Sequence, residues 1–244
     1  VGRTGTRPRP RRTAAHRKVR EVSKMAGEKA LVVGATGMIG GLATQTLVDR
    51  GGAVAVAGRD ARELAERSSR WGSCPHRAFD AYDLEGGAAL ASWAAQALGG
   101  LDTVVVAVGV AGFGRAEEVT DAAAEHLMTV NALAPMAVVR GALPVLEPPA
   151  TVVVVTGLIV DRPMRATADY TAAKTALAAW LGVVRREQRD RGISVVDVRM
   201  PHLDGGFADR AFVGSPPPLP RGADAAEAVA RYVIEPITAA ARTR

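Results

Sequence analysis

Five short apolar runs, rich in β-branched residues, and one less apolar strand-like segment recur along this 244-residue chain, each followed by a stretch of helical length. They are Ala30–Val33, Ala53–Ala57, a third ending at Phe79–Asp80, Thr103–Val108, Thr151–Thr156 and Ser194–Val198. Thr103–Val108 shows no apolar–polar alternation, the pattern of a strand buried on both faces. Helices are expected over Met38–Asp49, Asp60–Arg67 with Asp60 as its cap, Gly87–Leu98, Asp121–Leu143, Tyr170–Arg191 and about Ala223–Ala241. Parallel strands need a crossover between them, and a helix fills it. The repeat therefore predicts an α/β, doubly wound parallel sheet of six to seven strands, in one domain spanning 25–244.

Composition narrows the function classes. The chain is 48% hydrophobic, enough for a substantial core. One cysteine, Cys74, excludes an internal disulfide and a Cys₄ or Cys₂His₂ zinc site, and the four scattered histidines do not suggest a metal cluster. The net charge of +6 is uneven: residues 1–24 carry nine Lys/Arg against Glu21, leaving the rest of the chain slightly acidic. That arm has neither the apolar segment of an export signal nor any periodicity, so it is expected to be a disordered tail. With no basic bias in the body, nucleic acid is not the expected partner. The longest apolar run, near Thr103–Phe113, falls short of the roughly 18–20 residues of a spanning helix. A cytoplasmic protein without a membrane partner is expected.

The first run leads straight into Gly34-Ala35-Thr36-Gly37-Met38-Ile39-Gly40. Glycines at this spacing allow a tight turn, close approach of backbone to a diphosphate, and contact between helix and strand, with the helix N-terminus facing the negative charge. Gly34, Thr36, Gly37, Met38, Ile39 and Gly40 are thus expected to border a dinucleotide. The second strand ends at Gly58 and is followed by Arg59 rather than by the carboxylate that would hold a ribose 2′-hydroxyl. A guanidinium suits a 2′-phosphate, which favours NADP(H) over NAD(H).

Lysine is scarce: beyond Lys29 only Lys174 remains, four residues after Tyr170, one of three tyrosines. On a helix the two share a face. A cation beside a phenol is expected to lower its pKa and make it a proton donor or acceptor near neutrality.

On these residues the chain resembles the short-chain dehydrogenase/reductase family over 28–205, which implies a Rossmann-like fold. Tyr170-Thr171-Ala172-Ala173-Lys174 is similar to its Y-x-x-x-K, and the glycine loop to its cofactor loop. The resemblance implies that Asn131 organises a proton-relay water and that Asp80 and Ala81 lie at the adenine. It also implies that Val108 and Gly109 border the cofactor, and that Pro201 stands at the turn after the sixth strand. It implies a mechanism in which NADPH gives hydride to a carbonyl carbon, Tyr170 protonates the oxygen, and Lys174 holds the nicotinamide ribose. Two positions depart from the pattern. Val106-Ala107-Val108-Gly109 stands where the family has N-N-A-G, and Gly157 where it has the catalytic serine. Thr156 is the nearest hydroxyl and the expected substitute.

Leu203–Pro220 stands where the family has its substrate lobe, so 203–222 is expected to form an apolar lid. A homodimer through the helices around Asn131 and Tyr170 is expected. The leading expectation is reduction of a small or medium apolar carbonyl compound, or oxidation of the alcohol. The alternatives are a dinucleotide-binding sensor without turnover, which Gly157 motivates, and an isomerase or lyase using the cofactor without net redox change.

Overall fold

A computed structural model describes residues 27–241, so the basic arm, 1–24, lies outside the described residues. Six strands form one parallel sheet: β1 (Lys29–Val33), β2 (Ala53–Gly58), β3 (His76–Ala78), β4 (Thr103–Val106), β5 (Ala150–Val155) and β6 (Ile193–Val198). Their order is β3-β2-β1-β4-β5-β6, the doubly wound arrangement expected. No seventh strand occurs among the described residues. The valine runs explain why the sheet is central. Val104, Val106, Val152, Val154 and Val195 bury on one face, and Val105, Val153, Val155 and Val198 on the other. Burying each valine contributes about 1.5–3 kcal/mol relative to exposure.

Helices cover both faces. α1 (Met38–Asp49), α2 (Ala61–Arg70) and α3 (Leu84–Leu98) follow the first three strands. Asp60 caps α2 by accepting from the Arg62 and Glu63 amides at 2.9 Å. Asp83 caps α3, starting it three residues ahead of the expected Gly87. The long helix is interrupted: α4 (Asp121–Met128) passes through a π turn, Thr129–Leu133, into α5 (Ala134–Ala142). This run, Asp121–Ala142, is the one described segment long and apolar enough to cross a membrane, and just over half of it is buried inside the protein. α6 (Ala168–Gln188) precedes β6, and the chain closes with α7 (Ala225–Val229), a second π turn and α8 (Glu235–Ala241). The third strand differs from expectation: it is an exposed three-residue edge, and Phe79 adds only one further ladder bond, to the Gly58 carbonyl at 2.9 Å.

Candidate active site

The strand order reverses between β1 and β4, and the loops leaving their carboxyl ends flank a crevice there, the usual ligand position in such sheets. On one side lies the glycine loop. Gly34 has φ +90°, and a Cβ on it would sit 2.7 Å from the Ala107 carbonyl oxygen. A Cβ on Gly40 would lie 2.3 Å from the Gly34 oxygen, so helix and loop touch backbone to backbone. α1 has no side-chain cap and no acidic residue in its first turn. Its first helical bond is Gly41 N–H to the Gly37 oxygen at 2.8 Å. The Gly37 amide is taken by the Gly34 oxygen at 3.0 Å, which leaves those of Met38, Ile39 and Gly40 available to an anion. The cradle suits a dinucleotide diphosphate. Arg59 is exposed at the end of β2 with no ion pair among the described residues, while Asp60 is spent on its helix cap. Asp80 is exposed and turns back to accept from the Tyr82 amide at 2.9 Å, leaving Ala81 partly buried beside it.

On the other side, the segment after β4 is tied to every neighbour. Asn131, fully buried in the π turn, accepts from the Val110 amide and donates to the Val110 carbonyl, both at 3.1 Å. A Cβ on Gly109 would stand 2.9 Å from Asn131 Oδ1 and 3.0 Å from Lys174 Nζ. Glycine there is a packing requirement, and it brings Asn131 and Lys174 to one point beside Val108. Phe113 lies edge-on to Tyr170 at 6.4 Å between ring centroids.

Tyr170 and Lys174 occupy the first two turns of α6. Lys174 is 3% exposed and donates to the Val155 carbonyl at 3.3 Å. The Tyr170 hydroxyl has no hydrogen-bond partner among the described residues and is not sealed from the surface. The expectation of a lowered phenol pKa is corrected for the protein by itself: burial pushes Tyr170 above its ordinary value. Burial likewise pushes Lys174 down, to about 8, against a smaller opposing pull from Asp197. Both shifts oppose the charged form of a buried group.

The expectation for Thr156 also needs correction. Its hydroxyl donates to Asp197 Oδ1 at 2.5 Å and accepts from Arg199 Nη1 at 3.2 Å. It is 2% exposed, so its one proton is committed to β6 and it is not a free donor to a substrate oxygen. Gly157 has φ +126°, a conformation a serine would adopt only under strain. Pro201, partly buried, follows β6 two residues ahead of Leu203.

The segment 203–222, expected to form a lid, packs against the β4 loop and the glycine loop. Its stem closes through the Leu203–Ala223 bridge. Its far side binds the β4 loop through Phe212 N–H to the Ala111 oxygen at 3.0 Å and Phe113 N–H to the Val213 oxygen at 2.9 Å. Gly205 packs on Met38 of the glycine loop, and Phe212 meets His126 edge-on at 4.4 Å. Sequence reasoning missed Phe113, His126, Asp197 and Arg199. Only Asp197 carried a signal, as the one charged residue in β6.

The sequence model of the short chain dehydrogenase family matches residues 28–210. The chain belongs to this family. Short-chain dehydrogenases are oxidoreductases that bind NAD(P), and relatives of this chain carry oxidoreductase names. An uncharacterized oxidoreductase of Methylorubrum extorquens is 30% identical over 180 residues, 71% of this chain and 72% of its own. A Thermus thermophilus protein assigned as a short-chain oxidoreductase superposes with TM-score 0.73 at 30% identity, covering 86% of this chain and 95% of that one. A dehydrogenase/reductase of Sinorhizobium meliloti gives 0.72 at 26%, covering 87% and 82%. An alcohol dehydrogenase of Thermococcus sibiricus, complexed with 5-hydroxy-NADP, shares the fold with TM-score 0.71 at 21% identity, covering 83% and 88%.

Proposed function

We propose that this short-chain dehydrogenase is an NADPH-dependent reductase of small to medium apolar carbonyl compounds, or in reverse an alcohol dehydrogenase. The observation that carries the reading is the Tyr170 hydroxyl, unbonded among the described residues, one helical turn from the buried Lys174 and beside the β4 loop. The cofactor would be held by Gly34, Thr36, Gly37, Met38, Ile39 and Gly40, by Asp80 and Ala81, by Val108, Gly109 and Pro201, and by Arg59 at a 2′-phosphate. When bound it supplies the hydride.

The chain's own residues do the rest. Tyr170 stays protonated in its buried setting, so it donates a proton to the oxygen of a carbonyl undergoing reduction. Lys174, as an ammonium, stabilises the phenolate that remains and hydrogen-bonds the ribose. Asn131 holds the β4 loop through Val110 and keeps Gly109 against Lys174. Phe113 of the β4 loop, with Phe212 and the rest of the 203–222 segment, excludes water and presents apolar surface to the substrate. Exposed Leu133 and Val183, on the two long helical runs, support a homodimer through those faces.

The test is NADPH oxidation against a panel of aldehydes and ketones, with Tyr170→Phe as the control. The variant is expected to bind NADPH normally and to lose turnover by roughly 10²–10⁴-fold. Full turnover in Tyr170→Phe would remove the assigned role. A second reading, dinucleotide binding without redox turnover, is favoured by Gly157 and by the commitment of Thr156 to Asp197. NADPH binding with no carbonyl in the panel reduced would select it.

A further inference from the structure

Beneath the Tyr170–Lys174 pair lies a charged network that the reaction as derived above does not use. β5 and β6 run side by side with Val154 opposite Asp197. Side chains alternate along each strand. Val152 and Val154, and Ile193 and Val195, face the core that includes Leu177, Leu181 and Val184 of α6. The next residues in the same alternation are Thr156 and Asp197. Both therefore face α6, the helix that carries Lys174.

Asp197 has only 9% of its side chain exposed. Its carboxylate accepts from the Thr156 hydroxyl and pairs with Arg199 Nη2 at 3.1 Å. Arg199 reaches on to Asp161 at 3.3 Å, in the loop just past Gly157. A carboxylate held this firmly and this deep is a strong fixed charge, since little water screens it. Among the described residues, the hydrogen bond of the Lys174 ammonium goes to a neutral carbonyl, that of Val155.

We propose that Asp197 is a positioning residue for the Tyr170–Lys174 pair: locked by Thr156 and Arg199, it is the counter-charge that keeps the buried Lys174 ammonium protonated at working pH. The proposal rests on reading Tyr170 and Lys174 as the working pair. The other groups around Lys174 do not compete for this role. Tyr170 shares its helix and is held neutral by burial. Asn131 and Gly109 carry no charge, and the π turn has no ionisable side chain. On α4, His126 is engaged by Tyr82 and Phe212, while Asp121 and Glu125 stand on the same short helix. On α5, Arg140 lies over Trp180, and β6 offers Asp197 alone. Of these, Asp197 is the one whose charge acts on Lys174, opposing the fall that burial imposes.

The scarcity of lysine makes the link measurable without a substrate. The full chain, labelled with ¹³Cε-lysine, gives four resonances, from Lys18, Lys24, Lys29 and Lys174. The Lys174 signal is identified by its loss in Lys174→Met. In the wild type it is expected to titrate near pH 8. In Asp197→Asn, which is nearly isosteric, the midpoint falls by about one pH unit. In Arg199→Gln, which leaves the carboxylate but frees it from its guanidinium, the midpoint rises.

A midpoint that stays or rises in Asp197→Asn overturns the proposal. If that variant fails to fold, Asp197→Ser, which also removes the charge, decides in its place: a fall supports the link, and no change or a rise overturns it. A residue that merely braced the strands would lower stability in both variants without moving the midpoint in opposite directions. The titration needs neither cofactor nor carbonyl, so its failure is distinguishable from a failure of the reductase reading. Where reduction is observed, the loss of kcat/KM on the alkaline side is expected to follow the same midpoints.

Discussion

Lys174 is the residue that works hardest against the fold around it. Its ammonium is buried with one carbonyl contact and a carboxylate's field, and its midpoint lies near 8 instead of 10.5. A lysine that gives up its proton more readily when folded destabilises the native state at every pH below 8, and the penalty fades as pH rises from 8 to 10.5. Lys174→Met is therefore expected to raise stability at neutral pH by roughly 1–3 kcal/mol, an advantage that shrinks toward the alkaline end of that window. Urea denaturation of both proteins at two pH values checks this, and a variant less stable at neutral pH contradicts it. The pair itself was legible because two rare residue types fell four positions apart. The direction of the tyrosine's shift was not, because spacing says nothing about how fully α6 would be buried. Thr156 differs for a related reason: a residue of the neighbouring strand, Asp197, accepts its hydroxyl's hydrogen bond, and such pairing is invisible along the chain.

At the scale of elements, the valine runs and glycine turns placed five of the six strands within one or two residues. For β3 only the end was legible, to within one or two residues, because a three-residue exposed edge carries almost no apolar signal. The π turn around Asn131 was also unreadable, since a helix that takes in one extra residue keeps the same composition. That turn is what lets the Asn131 amide reach both backbone groups of Val110. The glycine loop was read from spacing alone, and its backbone contacts now give it a steric test. A methyl group on Gly40 would collide with the Gly34 carbonyl, and neither atom belongs to a flexible side chain. Gly40→Ala is expected to destabilise the protein by about 1–3 kcal/mol, as overpacked sites do, and to abolish NADPH binding. A melt together with a binding titration reads both. Unchanged affinity would mean that the loop tolerates displacement and does not cradle the diphosphate.

The whole molecule is one sheet with two apolar faces, and the site lies where its winding reverses. The described residues leave Leu133 42% and Val183 53% exposed on helical runs that also carry the site. Covering that surface with a second copy would hold α4, α5 and α6 in place from outside. Light scattering is expected to report a dimer, and Leu133→Glu with Val183→Glu a monomer. A wild-type monomer would remove this part of the account.

The central claim is that the crevice holds NADPH, and a parallel fluorescence titration with NADPH and NADH tests it most directly. The account predicts micromolar NADPH affinity, NADH weaker by about tenfold or more, and near-equal affinities once Arg59→Ala removes the guanidinium. Binding of neither nucleotide, or tighter binding of NADH, would contradict it.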